Sequence, residues 1–219
     1  DKNGRWQGIE DTIIDVIFNS KEIPGVCQKK KIYKNGILNC AGIQARRNSS
    51  YQMVKISTLF DVNKGTLASE SNIDGDFPFI TASEEWKTHN EYAHDTEAIV
   101  YAVSAAGSLG RSHYVNGKFI ASNLCLVLTD RKNPKYPIDL QFYNCYFASI
   151  RKQIVSDLSD GTSKLTISPD MFKEYYIDYI PIDEQKKFIK TKLKSFLTLQ
   201  DQYKKAQEKL SKDISNIAE

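Results

Sequence analysis

No apolar run in these 219 residues approaches the roughly 20 that a helix needs to cross a bilayer, and the first residues lack the basic-then-apolar order of a secretory signal. The chain opens on Asp1 rather than Met, so it reads as a piece of something longer. Cysteine is sparse. Cys27, Cys40, Cys125 and Cys145 show no Cys-x-x-Cys spacing and sit mostly among apolar neighbours. That argues against zinc or a disulfide framework and for buried free thiols in a reducing, cytoplasmic setting. A surplus of one charge is lacking too: a net charge of +3 is below that of proteins that coat DNA without sequence preference.

What is present is an ordinary globular balance, 41% hydrophobic and 26% charged, in a chain long enough to bury a core without staples. The charge is unevenly spread. Residues 1–50 carry nine Lys/Arg against five Asp/Glu, residues 51–182 carry twelve against sixteen, and residues 183–219 carry nine against six. An acidic middle between basic flanks means that any contact with nucleic acid runs through a focused face, or beside a partner that supplies more charge.

The pattern divides the chain in three. Residues 1–50 hold a helix over 5–20, with Trp6, Ile9, Ile13, Val16 and Ile17 on one face, then a basic strand-turn around Asn35-Gly36 and a polar linker. From residue 51 to 182 short strands dominate. A short helix runs into a strand ending at Gly65; "DGDFPFIT" is a turn and strand; "EAIVYAV" is a buried strand; one or two more follow in "GKFIASNLCLVLT". "YPIDLQFYNCYFASIRKQIVSD" has helical spacing and reads as a core helix. Ser168-Pro169 starts a brief helix, and "YYIDYIPI" returns as a strand. The last segment, 183–219, is a long helix capped by Asp183. Ile189, Leu193, Phe196, Gln200, Tyr203, Gln207, Leu210, Ile214 and Ile217 form a heptad seam on it that faces a partner. The fold class is therefore α+β: a β-rich domain with a core helix, followed by a long coiled-coil-like helix.

Three motifs invite an enzymatic reading, and each fails on chemistry. Asn133-Pro134-Lys135-Tyr136 approaches the Asn-Pro-Pro-Tyr signature of amino-methyltransferases, but Lys135 replaces the second proline and no glycine-rich cofactor turn accompanies it. Pro169-Asp170 with Glu184-Gln185-Lys186 fits the short nuclease pattern, yet its carboxylates open two different helices rather than sit on adjacent strands. Gly107-Ser108-Leu109-Gly110 lacks the Lys-Ser/Thr of a phosphate-binding loop. It reads instead as a turn that lets Arg111, Ser112 and His113 protrude between two strands. No cofactor or metal is expected.

Taken in order, several of these segments resemble the target-recognition domain of type I restriction-modification specificity subunits, which is also found fused to the methyltransferases of some single-chain enzymes. "GDFPFITAS" (75–83) is similar to the family's Gly-x-x-Pro-Phe-Ile strand and following loop. "EAIVYAVSAAGSLGRSHYVNGKFIASNLCLVL" (97–128) is similar to its strand, glycine turn and returning strand. "LTISPDMFKEYYIDYIPIDEQKKFIKTKLKSF" (165–196) is similar to its closing segment, where an Ile-Pro-x-x-x-x-Gln phrase opens a long helix. Asp183 departs from the proline or leucine frequent at its place, and one recognition domain stands here where a full subunit has two.

The resemblance implies sequence-specific readout of double-stranded DNA, half of a bipartite target, beside a DNA methyltransferase subunit or domain, with the long helix as a spacer or homodimer contact. The expected DNA-binding residues are Lys64 and Thr66; Thr81, Ser83 and Glu84 after the Pro-Phe-Ile strand; Arg111, Ser112 and His113 at the glycine turn; and Ser163 and Lys164. Two other readings stay open at this point: a helical protein-interaction adaptor, and the C-terminal part of a fused adenine methyltransferase or restriction enzyme. Residues 1–47 fit either the tail of a methyltransferase module or an N-terminal embellishment.

Overall fold

The structure is a computed structural model that describes residues 51–105, 107–161 and 165–218. The helix, basic strand-turn and linker expected in 1–50 lie outside the described residues, as do Cys27, Cys40, Ser163 and Lys164.

The centre of the domain is a six-stranded sheet in the order β2-β7-β5-β6-β3-β4. Its strands are β2 (Phe60–Lys64), β3 (Phe77–Ile80), β4 (Lys87–His89), β5 (His94–Ala102), β6 (Ser112–Ala121) and β7 (Cys125–Asp130). Every pairing is antiparallel except β3 with β6, where Phe79 faces Ile120 and Ile80 faces Ala121. β5 explains why "EAIVYAV" is continuously apolar: it is a central strand, and Ala98, Ile99, Val100, Tyr101 and Ala102 are buried on alternating faces. Ile99, Tyr101, Leu126 and Leu128 share the larger core with the main helix. Ala98, Val100, Ala102, Val115, Phe119, Ala121 and Val127 face the other way. The small residues on that second face leave room for a loop, not a helix layer.

The first face is covered by α2 (Leu140–Leu158), the core helix that the spacing predicts. Asp139 caps it by accepting the Phe142 amide at 3.0 Å. Leu140, Tyr143, Phe147, Ile150, Ile154 and Leu158 recur every three or four residues and are all buried. Phe147 is the hub of an aromatic cluster, with ring centroids 5.6 Å from Phe60, 5.5 Å from Tyr101 and 6.0 Å from Phe172. These neighbours come from β2, β5 and α3 (Pro169–Glu174) respectively.

The remaining elements lash the ends together. β1 (Gln52–Lys55), which the sequence reading missed, pairs with β10 (Tyr176–Tyr179) and leads into the short α1 (Ile56–Leu59). β8 (Ser159–Asp160) pairs with β9 (Thr166–Ile167). "GKFIASNLCLVLT" resolves into two strands, the first of which starts earlier than expected, at Ser112. Ser168 holds the N-cap position of α3 with Pro169 in the first turn, although its hydroxyl makes no capping hydrogen bond.

The long helix needs two corrections. It begins as α4 (Ile182–Phe188) with Pro181 at the N-cap, so Asp183 lies in the first turn and caps nothing. A π-helical turn over Ile189–Leu193 then joins it to α5 (Lys194–Ala218). Phe188 is buried at the end of α4, and the π turn follows it where the chain still packs on the domain. The first seam positions, Ile189 and Leu193, therefore pack against the chain's own core rather than a partner. Further along, Leu197, Leu199 and Tyr203 are exposed.

Gln185 fixes where this helix points. Fully buried, its amide donates to the carbonyls of Ile180 at 2.7 Å and Pro137 at 3.3 Å, while its oxygen accepts from the Asp139 amide at 2.7 Å. One side chain thus ties the start of the long helix to the cap of α2. The nuclease-like pattern dissolves accordingly: Glu184 accepts from Tyr51 and Asp170 faces Lys173. The Asn133 turn is structural as well, with Tyr136 buried and bonded to Gln52 at 2.8 Å.

Candidate nucleic-acid interface

Along β6 successive side chains alternate between the two faces of the sheet. Arg111 and His113 therefore share the second face, while Ser112 turns to the first and donates to the Asn144 carbonyl of α2 at 3.3 Å. The three neighbours expected to protrude together are split.

The glycine turn is not free either. Arg151 of α2 reaches across to it, its Nε donating to the Leu109 carbonyl and an Nη to the Gly107 carbonyl, both at 2.8 Å. Leu109 is buried. At Gly110 φ is +77°, and an added Cβ would lie 2.7 Å from Val155 Cγ2. Glycine is there because the turn is pressed onto the helix in a left-handed conformation, not because it must approach a phosphate. Arg151→Ala removes two charge-assisted hydrogen bonds and should cost about 2 kcal/mol. A urea midpoint unchanged from wild type would show that the clamp is idle.

What comes to Arg111 and His113 is the loop after β3. Instead of leaving the sheet, residues 81–86 fold back over the small residues of the second face, where Ala82 is buried. Thr81, buried, accepts the Ser83 amide on its hydroxyl at 3.1 Å and so shapes the loop from within. His113 Nε2 lies 2.8 Å from the Ser83 carbonyl, and the Trp86 indole N–H donates to His113 Nδ1 at 3.1 Å. A carbonyl can only accept and an indole N–H can only donate, so the imidazole is neutral with its proton on Nε2. Burial, with the Arg111 charge nearby, lowers its pKa to about 4 against the opposing pull of the Ser83 carbonyl. Arg111 Nη2 lies 3.6 Å from Glu84 Oε2. Ser83, Glu84, Arg111 and His113 thus form one patch, together with Trp86. Trp86 was not foreseen; a tryptophan inside the polar run Ser83-Glu84-Glu85-Trp86-Lys87 is the signal that could have found it.

Lys64 and Thr66 stand apart, at the other end of β6. Lys64 ends β2, and Thr66 donates its amide to Ala121 at 3.1 Å. The crossing is tight because a Cβ on Gly65 would lie 2.2 Å from the Ser122 carbonyl oxygen. Both side chains are exposed. The strands that flank the Ser163-Lys164 loop attach beside the base of the glycine turn through a bridge between Thr166 and Ser104. Among the described residues no group of three His, Cys, Asp or Glu side chains is placed to hold a metal, and no helix is long and apolar enough to cross a membrane.

A mixed sheet with one helical layer, a loop-covered second face and a protruding terminal helix defines an α+β domain that solved specificity subunits share. An HsdS subunit from Thermoanaerobacter tengcongensis superposes with a TM-score of 0.52 at 13% identity, over 92% of this chain and 45% of that one. A chain from a structural study of complex assembly and conformational transition of the type I R-M system gives 0.57 at 12%, over 96% and 50%. A type I S subunit from M. genitalium gives 0.49 at 21%, over 68% and 37%. The chain spans half or less of the length of these solved chains. No protein of curated function matches it in sequence. The family model for the type I restriction modification DNA specificity domain matches residues 48–211, and the chain belongs to that family.

Proposed function

We propose that this chain is the sequence-specific DNA recognition module of a restriction-modification system, reading one half of a bipartite target without catalysing a reaction itself. The family match across residues 48–211 carries the reading. In it, residues 51–182 are the recognition domain, residues 183–219 a spacer and docking helix, and residues 1–50 a leading segment. Ser83, Glu84 and Arg111 supply the central contact, with Trp86 beside them; Lys64, Thr66, Ser163 and Lys164 extend it, while Thr81, Ser112 and His113 support it from inside. Phosphate contacts set register and base contacts set specificity. The acidic middle segment fits a module whose affinity is completed by a DNA methyltransferase partner, and such a role places it in the cytoplasm. Exposed Leu197, Leu199 and Tyr203 suit a partner helix, from that methyltransferase or from a second copy.

Selection of bound duplexes from a random library, with and without the methyltransferase subunit, tests this. A short motif of a few fixed base pairs is the expected result. Recovery of no motif in either condition would overturn it and favour the adaptor reading, in which the long helix alone is functional.

A further inference from the structure

Sequence reasoning places Arg111 and Glu84 together among the DNA contacts, a carboxylate being favourable near phosphates only where it accepts from a cytosine amino group. The geometry separates their roles: we propose that Glu84 is the base-reading group, accepting from the N4 amino group of a cytosine in the major groove, and that Arg111 is its positioning residue. This rests on the DNA-reading function above and names the base pair it selects.

Exposure separates the two side chains. Arg111 is 17% exposed and Glu84 is 49% exposed, so the carboxylate stands outermost and the guanidinium lies behind it. Arg111 Nε is sealed from the surface, so only the Nη groups can reach outward, and Nη2 already faces the Glu84 carboxylate at 3.6 Å. The Arg111 charge there offsets the repulsion that a bare carboxylate meets among phosphates. The backbone under Glu84 is held on one side, where the Ser83 amide is bonded to Thr81 and the Ser83 carbonyl to His113. Two residues on, the Trp86 indole is bonded to the same imidazole. Glu84 is thus presented on a pinned loop rather than a wandering one.

The choice of base follows from the acceptor-only character of a carboxylate. In the major groove the donors are cytosine N4 and adenine N6, but adenine places its N7 acceptor beside the amino group, where it would face a carboxylate oxygen. Cytosine carries the donor without that neighbour.

The test is the same duplex selection with the full chain and its methyltransferase partner, comparing wild type, Glu84→Ala, Glu84→Gln, Arg111→Ala and the Glu84→Ala/Arg111→Ala double variant. Wild type should fix one C·G pair. Both Glu84 variants should lose about ten-fold preference at that position alone. Arg111→Ala should loosen the same position, and the double variant should be no worse than Glu84→Ala. Inosine opposite the cytosine, which keeps N4 and removes the minor-groove amino group of guanine, should bind as well as guanine. The inference is overturned by a motif unchanged in the Glu84 variants, by Arg111→Ala erasing a different position, or by a ten-fold loss with inosine. A wild-type chain that selects no motif at all removes the DNA-reading function itself, and this inference with it.

Discussion

Phe147→Ala is expected to lower stability by about 3–5 kcal/mol, the range for a fully buried phenylalanine whose neighbours cannot close the gap. The ring is 0% exposed, and its aromatic neighbours Phe60, Tyr101 and Phe172 belong to three different elements, so no single shift fills the space. Phe147→Leu keeps much of the volume and should cost about 1–2 kcal/mol. The measurement is the urea unfolding midpoint at constant slope. An alanine variant within about 1 kcal/mol of wild type would mean that the sheet and α2 collapse around the hole, and that the aromatic cluster is not what seats the sheet.

Acidification should remove on the order of 2–3 kcal/mol through His113 alone. In the unfolded chain this imidazole titrates at its ordinary 6.5; in the fold it titrates at about 4. Between those values the unfolded state binds a proton that the folded state does not. The contribution is therefore full above about pH 6.5 and falls away as pH drops towards 4. Burial lowers the pKa of His94 as well, which adds loss of the same sign. Comparing His113→Gln with wild type at pH 7.5 and 4.5 isolates the His113 share: the variant should be less stable at pH 7.5 but much flatter with pH. Parallel profiles would remove the neutral-imidazole assignment. Emission from Trp86 in a Trp6→Phe background should change with a midpoint near 4 as the indole loses its acceptor.

The strand pattern was legible where side chains sit on a two-sided core: β5, β7 and α2 follow from runs and spacings in the sequence. β1 was not, because four residues paired to a strand more than a hundred positions away carry no local signal. The candidate site was legible in its parts but not in its arrangement. Arg111, Ser112 and His113 are adjacent in sequence, and only strand alternation, which needs the register with β5, sends the middle one to the opposite face. The glycines of 107–110 signal a turn equally well whether it is free or clamped, and the clamp comes from Arg151, some forty residues on. The fold-back of 81–86 depends on a small-residue surface assembled from β5 and β6, and on a histidine that looked like a contact in its own right.

Gln185 has a consequence of leverage. From Ile182 to Ala218 the terminal helix is roughly 55 Å long at 1.5 Å per residue, so a tilt of about 5° at its base swings its tip by about 5 Å. A partner gripping the far end would lose its aim under so small an error. Three hydrogen bonds on one buried amide set the angle at the fulcrum, next to the cap of the helix that carries the sheet. The direction of the terminal helix is thus set inside the domain, far from its tip.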